Sequence, residues 1–230
     1  MSTAKSISTP QGEARLIANR ARHPVATLLL GHGASNGADT GDLETLAKKL
    51  PPQGITVLRL EQPWLVAGRK VASPPAALDE ALIAVADRIR PRTPMVVGGR
   101  SAGARSAARC ARQLGAAGCL ALAFPLHPPG KPEARFATSR PSAGPTAGKS
   151  RLDELKSARV PTLVIQGERD PFGAPEEFPG GVDVTVVPSA DHSFKVPKRA
   201  EISQVDAYAI IVEATLEWIV RDVIGNQPGG

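Results

Sequence analysis

One stretch decides the fold of this chain: Met95-Val96-Val97-Gly98-Gly99-Arg100-Ser101-Ala102-Gly103-Ala104-Arg105-Ser106-Ala107-Ala108. It predicts a short apolar strand, an abrupt turn that carries one serine between two glycines, and an alanine-rich helix. Residues 99–103 fit the pattern G-x-S-x-G, in which a strained strand-to-helix turn lifts a serine hydroxyl above a sheet. Glycines two residues before and after the serine let the strand and the helix approach closely. The alternative interpretation is that Ser101 only caps the helix.

Further apolar runs on both sides of this stretch alternate with amphipathic segments, which is typical of an α/β protein with a doubly wound, mostly parallel sheet and helices on both faces. The predicted strands are Glu13–Asn19 at the outer edge, Val25–Leu30, Ile55–Leu60, Pro94–Gly98, Cys119–Phe124, Pro161–Ile165 and Val182–Val187. The predicted helices are Leu43–Leu50, Pro75–Arg90, Ala102–Leu114 and Ser203–Val223. Right-handed crossovers bring the loops after the parallel strands to one edge, where the chemistry of such folds is found.

Two segments depart from this alternation. Residues 1–11 are polar and predict a flexible N-terminal leader, so that residues 12–230 are expected to form a single domain. Residues 125–150 are rich in proline, glycine and serine and show no periodicity. A long excursion of this kind at the functional edge predicts either a lid-like segment or a disordered insertion.

Composition limits the classes of function. The 230 residues are 42% hydrophobic and only 3% aromatic, so the core must consist mostly of aliphatic side chains. The net charge of +6 comes from Lys and Arg that are spread along the chain, which favours a solvated surface and predicts no nucleic-acid partner. Cys110 and Cys119 lack metal-site spacing and are expected to be reduced core residues, with no metal and no cofactor. The absence of an apolar leader or of a membrane-length run predicts a cytoplasmic protein.

A serine nucleophile needs a base, and the chain has four histidines. His23 precedes a buried strand and is expected at the surface, while His127 lies in the proline-rich excursion. His32 stands between two glycines, which suits a backbone turn. His192 follows the last strand at the functional edge and is therefore the predicted base.

The base usually needs an acidic partner, and Asp170 in the loop after the preceding strand is the predicted one. Asp191 adjoins the histidine and cannot easily reach its neighbour's ring, and Asp183 falls inside a strand. Glu168 is the alternative within the same loop. The order Ser101, Asp170, His192 is the order Ser…Asp…His of α/β-hydrolases.

A tetrahedral intermediate also needs donors for its oxyanion. The backbone N–H of Ala102 follows the nucleophile at a helix N-terminus, and the loop of small residues after Val25–Leu30 offers a second donor, the N–H of Ala34.

In these residues, the chain resembles the α/β-hydrolase superfamily from about Val25 to Val223. The resemblance depends on four motifs: Gly31-His32-Gly33-Ala34, Gly99 to Gly103, Gly167-Glu168-Arg169-Asp170-Pro171-Phe172-Gly173 and Asp191-His192-Ser193-Phe194. Phe124 to Pro132 is similar to a narrower group, which comprises dienelactone-hydrolase-like proteins and the hydrolase-like domain of a subunit of the NSL histone-acetyltransferase complex with its testis-expressed relatives.

Dienelactone hydrolases proper have a cysteine in place of the serine of the G-x-S-x-G turn, so the presence of Ser101 means that their substrate cannot be carried over. The lack of a large cap domain implies an open, shallow site. The resemblance implies a serine hydrolase that cleaves small carboxylic esters or thioesters through a Ser-His-Asp triad and an acyl-enzyme, with a small-molecule substrate as its partner. The alternative is a non-catalytic binding or scaffold protein of the same fold. The predicted substrate-binding walls are Trp64, Phe124, Leu126, Phe172 and Phe194, and a core or loop-packing role fits these residues equally well. Arg100 is expected to pack or pair behind the turn that carries Ser101 rather than to touch substrate.

Overall fold

The computed structural model of the chain describes residues 2–35, 37–128 and 150–225. They contain one eight-stranded sheet in the order β1-β2-β4-β3-β5-β6-β7-β8. The six strands from β4 to β8 in this order run parallel, and β1 and β2 are antiparallel additions at one edge. The strands are β1 Ser2–Thr9, β2 Gly12–Asn19, β3 Ala26–Gly31, β4 Ile55–Glu61, β5 Met95–Arg100, β6 Gly118–Leu122, β7 Thr162–Gly167 and β8 Asp183–Val187. The predicted fold class is therefore confirmed.

Within the described ranges, six α-helices cover the sheet: α1 Gly41–Lys49, α2 Pro63–Val66, α3 Pro75–Ile89, α4 Ala102–Cys110, α5 Leu152–Lys156 and α6 Gln204–Trp218. Helices α1 and α6 pack on one face, where Leu28, Leu120 and Ile165 belong to the same apolar cluster as Trp218. Helices α4 and α5 pack on the other face with Val97. Because both faces are covered, the inner strands are buried throughout and read as continuous apolar runs.

The parallel register determines where the loops meet. Gly31 at the end of β3 pairs with Gly99 in β5, and Arg100 at the end of β5 pairs with Leu122 in β6. Gly167 at the end of β7 pairs with Val187 in β8. The loops that follow these strands therefore leave the sheet at the same edge, as the sequence predicts.

The N-terminal segment differs from its prediction. The sequence predicts a flexible leader over residues 1–11, but Ser2–Thr9 forms strand β1, which pairs antiparallel with all of β2. A tight turn joins the two strands, and Gly12 adopts a φ of 106° that glycine tolerates best. Only Ile7 of this strand is buried, so β1 is held mainly by its backbone ladder, which a hydrophobic pattern does not reveal.

The excursion predicted for 125–150 lies mostly outside the described residues, because residues 129–149 are not among them. The described helix α5 begins directly after it. Helix α6 continues as a π-type turn over Ile219–Ile224, so the predicted C-terminal helix of Ser203–Val223 is confirmed, with Ser203 as its cap. None of the helices in the described ranges combines the length and the apolar character that a membrane span requires.

Candidate active site

Ser101 occupies the turn between β5 and α4 in a strained backbone conformation. Its φ of 52° and ψ of −110° are rare for a residue with a side chain. The Ser101 N–H donates to the Leu122 carbonyl oxygen of β6 at 2.9 Å, and the Ser101 carbonyl accepts from the Arg105 N–H at 3.1 Å. The surrounding sheet and helix thus hold Ser101 at the end of β5, with its side chain partly exposed.

The glycines of the motif allow β3 to pack directly against the start of α4. A methyl group on Gly103 would overlap the Gly31 carbonyl oxygen and would lie 2.8 Å from the His32 carbonyl oxygen. A methyl group on Gly99 would lie 2.7 Å from the Gly103 carbonyl carbon. These distances are too short for real side chains, so both glycines are required by packing as well as by the turn.

Three loops bring Ser101, His192 and Asp170 together. The Ser101 Oγ lies 3.0 Å from the His192 Nε2. The other ring nitrogen, Nδ1, lies 2.7 Å from the Asp170 Oδ2. The three residues are separated by 91 and 22 positions along the chain, so the sheet edge alone makes them neighbours. The Asp170 side chain is fully buried, while the His192 side chain keeps 17% of its surface exposed.

Buried donors surround the Asp170 carboxylate. Its Oδ1 accepts from the Phe172 N–H at 2.8 Å, and its Oδ2 accepts from the Gln166 Nε2 at 2.9 Å. The fully buried Gln166 also donates to the Gly173 carbonyl and accepts from the Phe124 N–H. Gln166 is not among the residues predicted from the sequence. The signal that could have found it is a polar residue at the end of the buried run 163–165, because buried amides need partners.

The alternative acids have other roles. Asp191 accepts from the N–H groups of Ser193 and Lys195 within its own loop. The Glu168 Oε2 accepts from the Ser189 N–H at 2.6 Å, and Asp183 at the start of β8 pairs with Arg221. Among the weighed carboxylates, only Asp170 has a hydrogen bond to the His192 ring.

A further glycine lets the histidine loop dock on the aspartate loop. A methyl group on Gly167 would lie 2.6 Å from the carbonyl oxygens of both Ala190 and Asp191. The end of β7 therefore contacts the backbone just before His192. This contact brings the loop that carries His192 next to the loop that carries Asp170.

The loop after β3 lies against the serine. A methyl group built on Gly33 would stand 3.6 Å from the Ser101 Cβ, and Ala34 follows at the surface. The buried His32 ring pins this loop, because its Nδ1 donates to the Gly33 carbonyl at 2.7 Å and its Nε2 accepts from the Gln62 N–H at 3.1 Å. His32 thus supports a turn, as its position between glycines predicts, and it also ties the loop after β3 to the end of β4.

The predicted pocket walls have a different placement. Four of the five aromatic or aliphatic side chains are core members: Trp64, Phe124, Leu126 and Phe194 are at most 3% exposed. Trp64 lies in helix α2, and Phe124, Leu126 and Phe194 belong to the apolar clusters that pack on the two faces of the sheet. Only Phe172 remains partly exposed, and its ring stacks on the His192 ring with centroids 4.2 Å apart and planes inclined by 33°.

The remaining reactive side chains lie away from the serine. The His127 Nε2 lies 2.9 Å from the Glu177 Oε2. Cys110 and Cys119 are buried and unpaired, and burial raises the pKa of each thiol to about 12. Within the described ranges, no three His, Cys, Asp or Glu side chains converge in a way that could hold a metal ion.

Comparison with known proteins agrees with this architecture. The family model of an alpha/beta hydrolase domain matches residues 24–220. None of the curated proteins matches the chain significantly.

Several solved structures share the fold at low sequence identity. XC6422 from Xanthomonas campestris, described as an α/β serine hydrolase without lid, superposes with a TM-score of 0.69 at 17% identity and covers 99% of this chain and 97% of its own. Dienelactone hydrolase from Anabaena variabilis gives 0.70 at 16% identity, with 97% and 98% covered. The esterase domain of a Rhodothermus marinus protein gives 0.67 at 16% identity, with 97% and 99% covered. At such identities the likeness concerns the fold.

Proposed function

The chain belongs to the alpha/beta hydrolase domain family, and we propose on this premise that it is a serine hydrolase of small carboxylic esters or thioesters. Ser101 is the nucleophile, His192 the general base and Asp170 the acid that orients the imidazole. The observation that carries the proposal is the continuous chain of contacts, 3.0 Å from Ser101 Oγ to His192 Nε2 and 2.7 Å from His192 Nδ1 to Asp170 Oδ2.

The three side chains are arranged as acyl transfer requires of a nucleophile, a general base and an orienting carboxylate. Because His192 donates its Nδ1–H to the Asp170 carboxylate, the neutral imidazole presents an unprotonated Nε2 to the serine hydroxyl. The strained backbone of Ser101 is the kind of outlier that persists where the surrounding structure holds a reactive group in place. A serine that served only as a helix cap would need neither the strain nor the contact to an imidazole.

The reaction then proceeds in two halves. The Ser101 Oγ attacks the carbonyl carbon of the ester while its proton passes to His192 Nε2. The imidazolium returns that proton to the leaving alcohol or thiol as the C–O or C–S bond breaks, which leaves an acyl group on Ser101. Water then attacks the acyl carbon while its proton passes to His192 Nε2. The imidazolium returns that proton to Ser101 Oγ as the acyl C–O bond breaks, which releases the acid and regenerates Ser101.

The backbone N–H groups of Ala34 and Ala102 are proposed as the oxyanion donors. Ala102 is the first residue of α4, where the N–H has no partner within the helix and the helix dipole favours negative charge. The Gly33 backbone lies next to the Ser101 Cβ, which supports Ala34 as the second donor. The loss of one such donor costs about 10²- to 10³-fold in kcat.

The structural neighbours support the substrate class. They include proteins described as an esterase domain, a serine hydrolase without lid and a dienelactone hydrolase. The narrower likeness to dienelactone-hydrolase-like proteins, the NSL-complex subunit and its testis-expressed relatives is carried by residues 124–132, of which 129–132 lie outside the described ranges. The likeness to the NSL-complex subunit and its testis-expressed relatives stays a sequence-based prediction.

A fluorophosphonate probe tests the proposal directly, because it labels only a serine that a neighbouring base activates. The wild-type protein is expected to be labelled, Ser101→Ala to lose the label, and His192→Ala to react much more slowly. Ser157→Ala is the matched control, since Ser157 is an exposed serine at the end of α5 whose Oγ bonds only backbone carbonyls. It should be labelled like the wild type.

Turnover of p-nitrophenyl acetate, butyrate and octanoate then measures the acyl preference. Absence of both labelling and turnover in the folded wild type would refute the serine-hydrolase proposal and leave the binding-protein alternative.

A further inference from the structure

The side chain of Arg100 lies buried behind the nucleophile. Arg100 is the last residue of β5 and directly precedes Ser101, yet only 4% of its surface is exposed. An arginine is rarely buried to this degree, because its charge loses hydration. The charge must therefore be met by groups inside the protein.

Two of those groups belong to the loop that carries His192. The Arg100 Nη2 donates to the backbone carbonyl of His192 at 3.2 Å and to the Ser193 Oγ at 3.0 Å. Arg100, the residue before the nucleophile, thus binds the backbone of His192, whose side chain is the proposed base. Because the His192 ring is attached to that backbone, a shift of the loop changes the distance from His192 Nε2 to Ser101 Oγ.

The charge of Arg100 faces a buried carboxyl group in helix α1. The Arg100 Nε lies 3.7 Å from the Asp42 Oδ2, and both side chains are at most 5% exposed. Neither of these two atoms has a hydrogen-bond partner in the described part of the chain, so the pair is electrostatic. Burial raises the pKa of Asp42, and the nearby Arg100 guanidinium partly lowers that pKa again.

Asp42 also connects the arginine to the first turn of α1. This helix begins at Gly41, where a methyl group would collide with the Tyr208 ring of α6. The first turn of α1 is therefore fixed against α6, and Asp42 with it. Arg100 spans from this fixed point to the histidine loop.

We propose that Arg100 is a positioning residue, which holds the His192 loop so that the imidazole stays within hydrogen-bond distance of Ser101. The inference rests on the proposed function of Ser101 and His192 and deepens it. A buried ion pair adds little net stability compared with apolar residues of the same size. The two hydrogen bonds from Arg100 to the His192 loop, in contrast, fix the position of that loop, which an apolar side chain could not do.

Arg100→Met tests this role, with Arg109→Met as the matched control. Arg109 lies on α4, is partly buried and forms ion pairs with Asp79 and Glu154, but it does not contact the histidine loop. We expect Arg100→Met to lower kcat on the order of 10²-fold, as displacement of a catalytic group by about 1 Å does, with KM changed less than about threefold. Arg109→Met should lower the Tm and leave kcat near the wild-type value.

The double variant Arg100→Met/Asp42→Asn separates positioning from folding. The single variant leaves the Asp42 carboxyl buried without its cation, whereas the double variant removes both charges. We expect the double variant to regain part of the lost Tm while kcat stays low. Arg100→Lys keeps the charge and a donor toward the loop, so its kcat should lie between those of the wild type and Arg100→Met.

Two results would overturn the inference alone: a wild-type kcat in Arg100→Met, or a kcat in the double variant that recovers together with the Tm. In both cases the wild type still reacts with the fluorophosphonate probe, so the serine-hydrolase proposal stands. A wild type that neither reacts with the probe nor turns over esters would overturn the proposed function, and the positioning role with it.

Discussion

Substitution of Gly103 by alanine tests the packing that holds the loop after β3 beside the nucleophile. The added methyl carbon would stand 2.5 Å from the Gly31 carbonyl carbon and 2.8 Å from the His32 carbonyl oxygen. Ordinary carbon–carbon contacts lie at about 3.5–4.0 Å, so the two backbones must separate by about 1 Å. Every atom in this collision belongs to the backbone, and no side chain can rotate away.

The size of the effect follows from that displacement. Overpacking of this kind costs about 1–3 kcal/mol of stability, which corresponds to a fall in Tm of about 2–12 °C for a domain of this size. The loop that moves carries Ala34, the proposed second oxyanion donor. Donors must lie within about 2.7–3.1 Å of the oxyanion, so a shift of 1 Å removes one donor and lowers kcat by about 10²- to 10³-fold.

Thermal unfolding and p-nitrophenyl acetate kinetics measure both effects on the same protein. Gly180→Ala is the matched control, because nothing lies within 4 Å of the position that its Cβ would take. It should leave Tm and kcat unchanged. The reasoning is refuted if Gly103→Ala has the Tm and kcat of the wild type. A lower Tm with an unchanged kcat would refute only the link from this packing to the oxyanion donor.

Three further predictions concern buried groups. Asp170→Asn should lower kcat on the order of 10³- to 10⁴-fold with little change in KM, because an amide in place of the carboxylate favours the wrong tautomer of His192; a steady-state profile with kcat within tenfold of the wild type would argue against the orienting role. Burial raises the pKa of Cys110 and Cys119 to about 12, so at pH 8 the native protein holds about one thiolate per 10⁴ thiols and should react with dithionitrobenzoate only after denaturation. The same shift means that the native state keeps protons which the unfolded chain releases above its thiol pKa, so stability should fall as the pH rises from about 9 toward 12. Rapid labelling of two thiols in the native protein at pH 8 would contradict this burial.

The six parallel strands could be predicted because each is an apolar run bounded by loop residues. Val25–Leu30 and Ile55–Leu60 match β3 and β4 to within one residue at either end. Strand β1 could not be predicted in this way. Its side chains are mostly polar and exposed, and pairing with β2 satisfies its backbone through hydrogen bonds that any sequence can make.

The prediction of Ser101, Asp170 and His192 used the same logic of strand ends, and the structure brings the three side chains together. The side chains around these three residues could not be predicted in the same way. The sequence suggested Phe124 and Phe194 as pocket walls, but both are fully buried in the core. Whether an aromatic residue beyond a strand faces the solvent or the core depends on how its loop folds back, and residue type alone does not decide this.

By itself, the sequence determined the layers of the fold, the turn around Ser101 and the order of the reactive residues, because hydrophobic periodicity and glycine spacing act locally. Only the tertiary structure decided that Gln166 holds the aspartate and that Arg100 joins the histidine loop to α1. Arg100 bonds to His192, 92 positions away, and Gln166 bridges the nearby Asp170 to Phe124, which lies 42 positions earlier in the chain. Whether such contacts form depends on distances of a few ångströms. Hydrogen bonds and buried charges are sensitive to such distances, whereas the burial of apolar surface that fixes the fold is not.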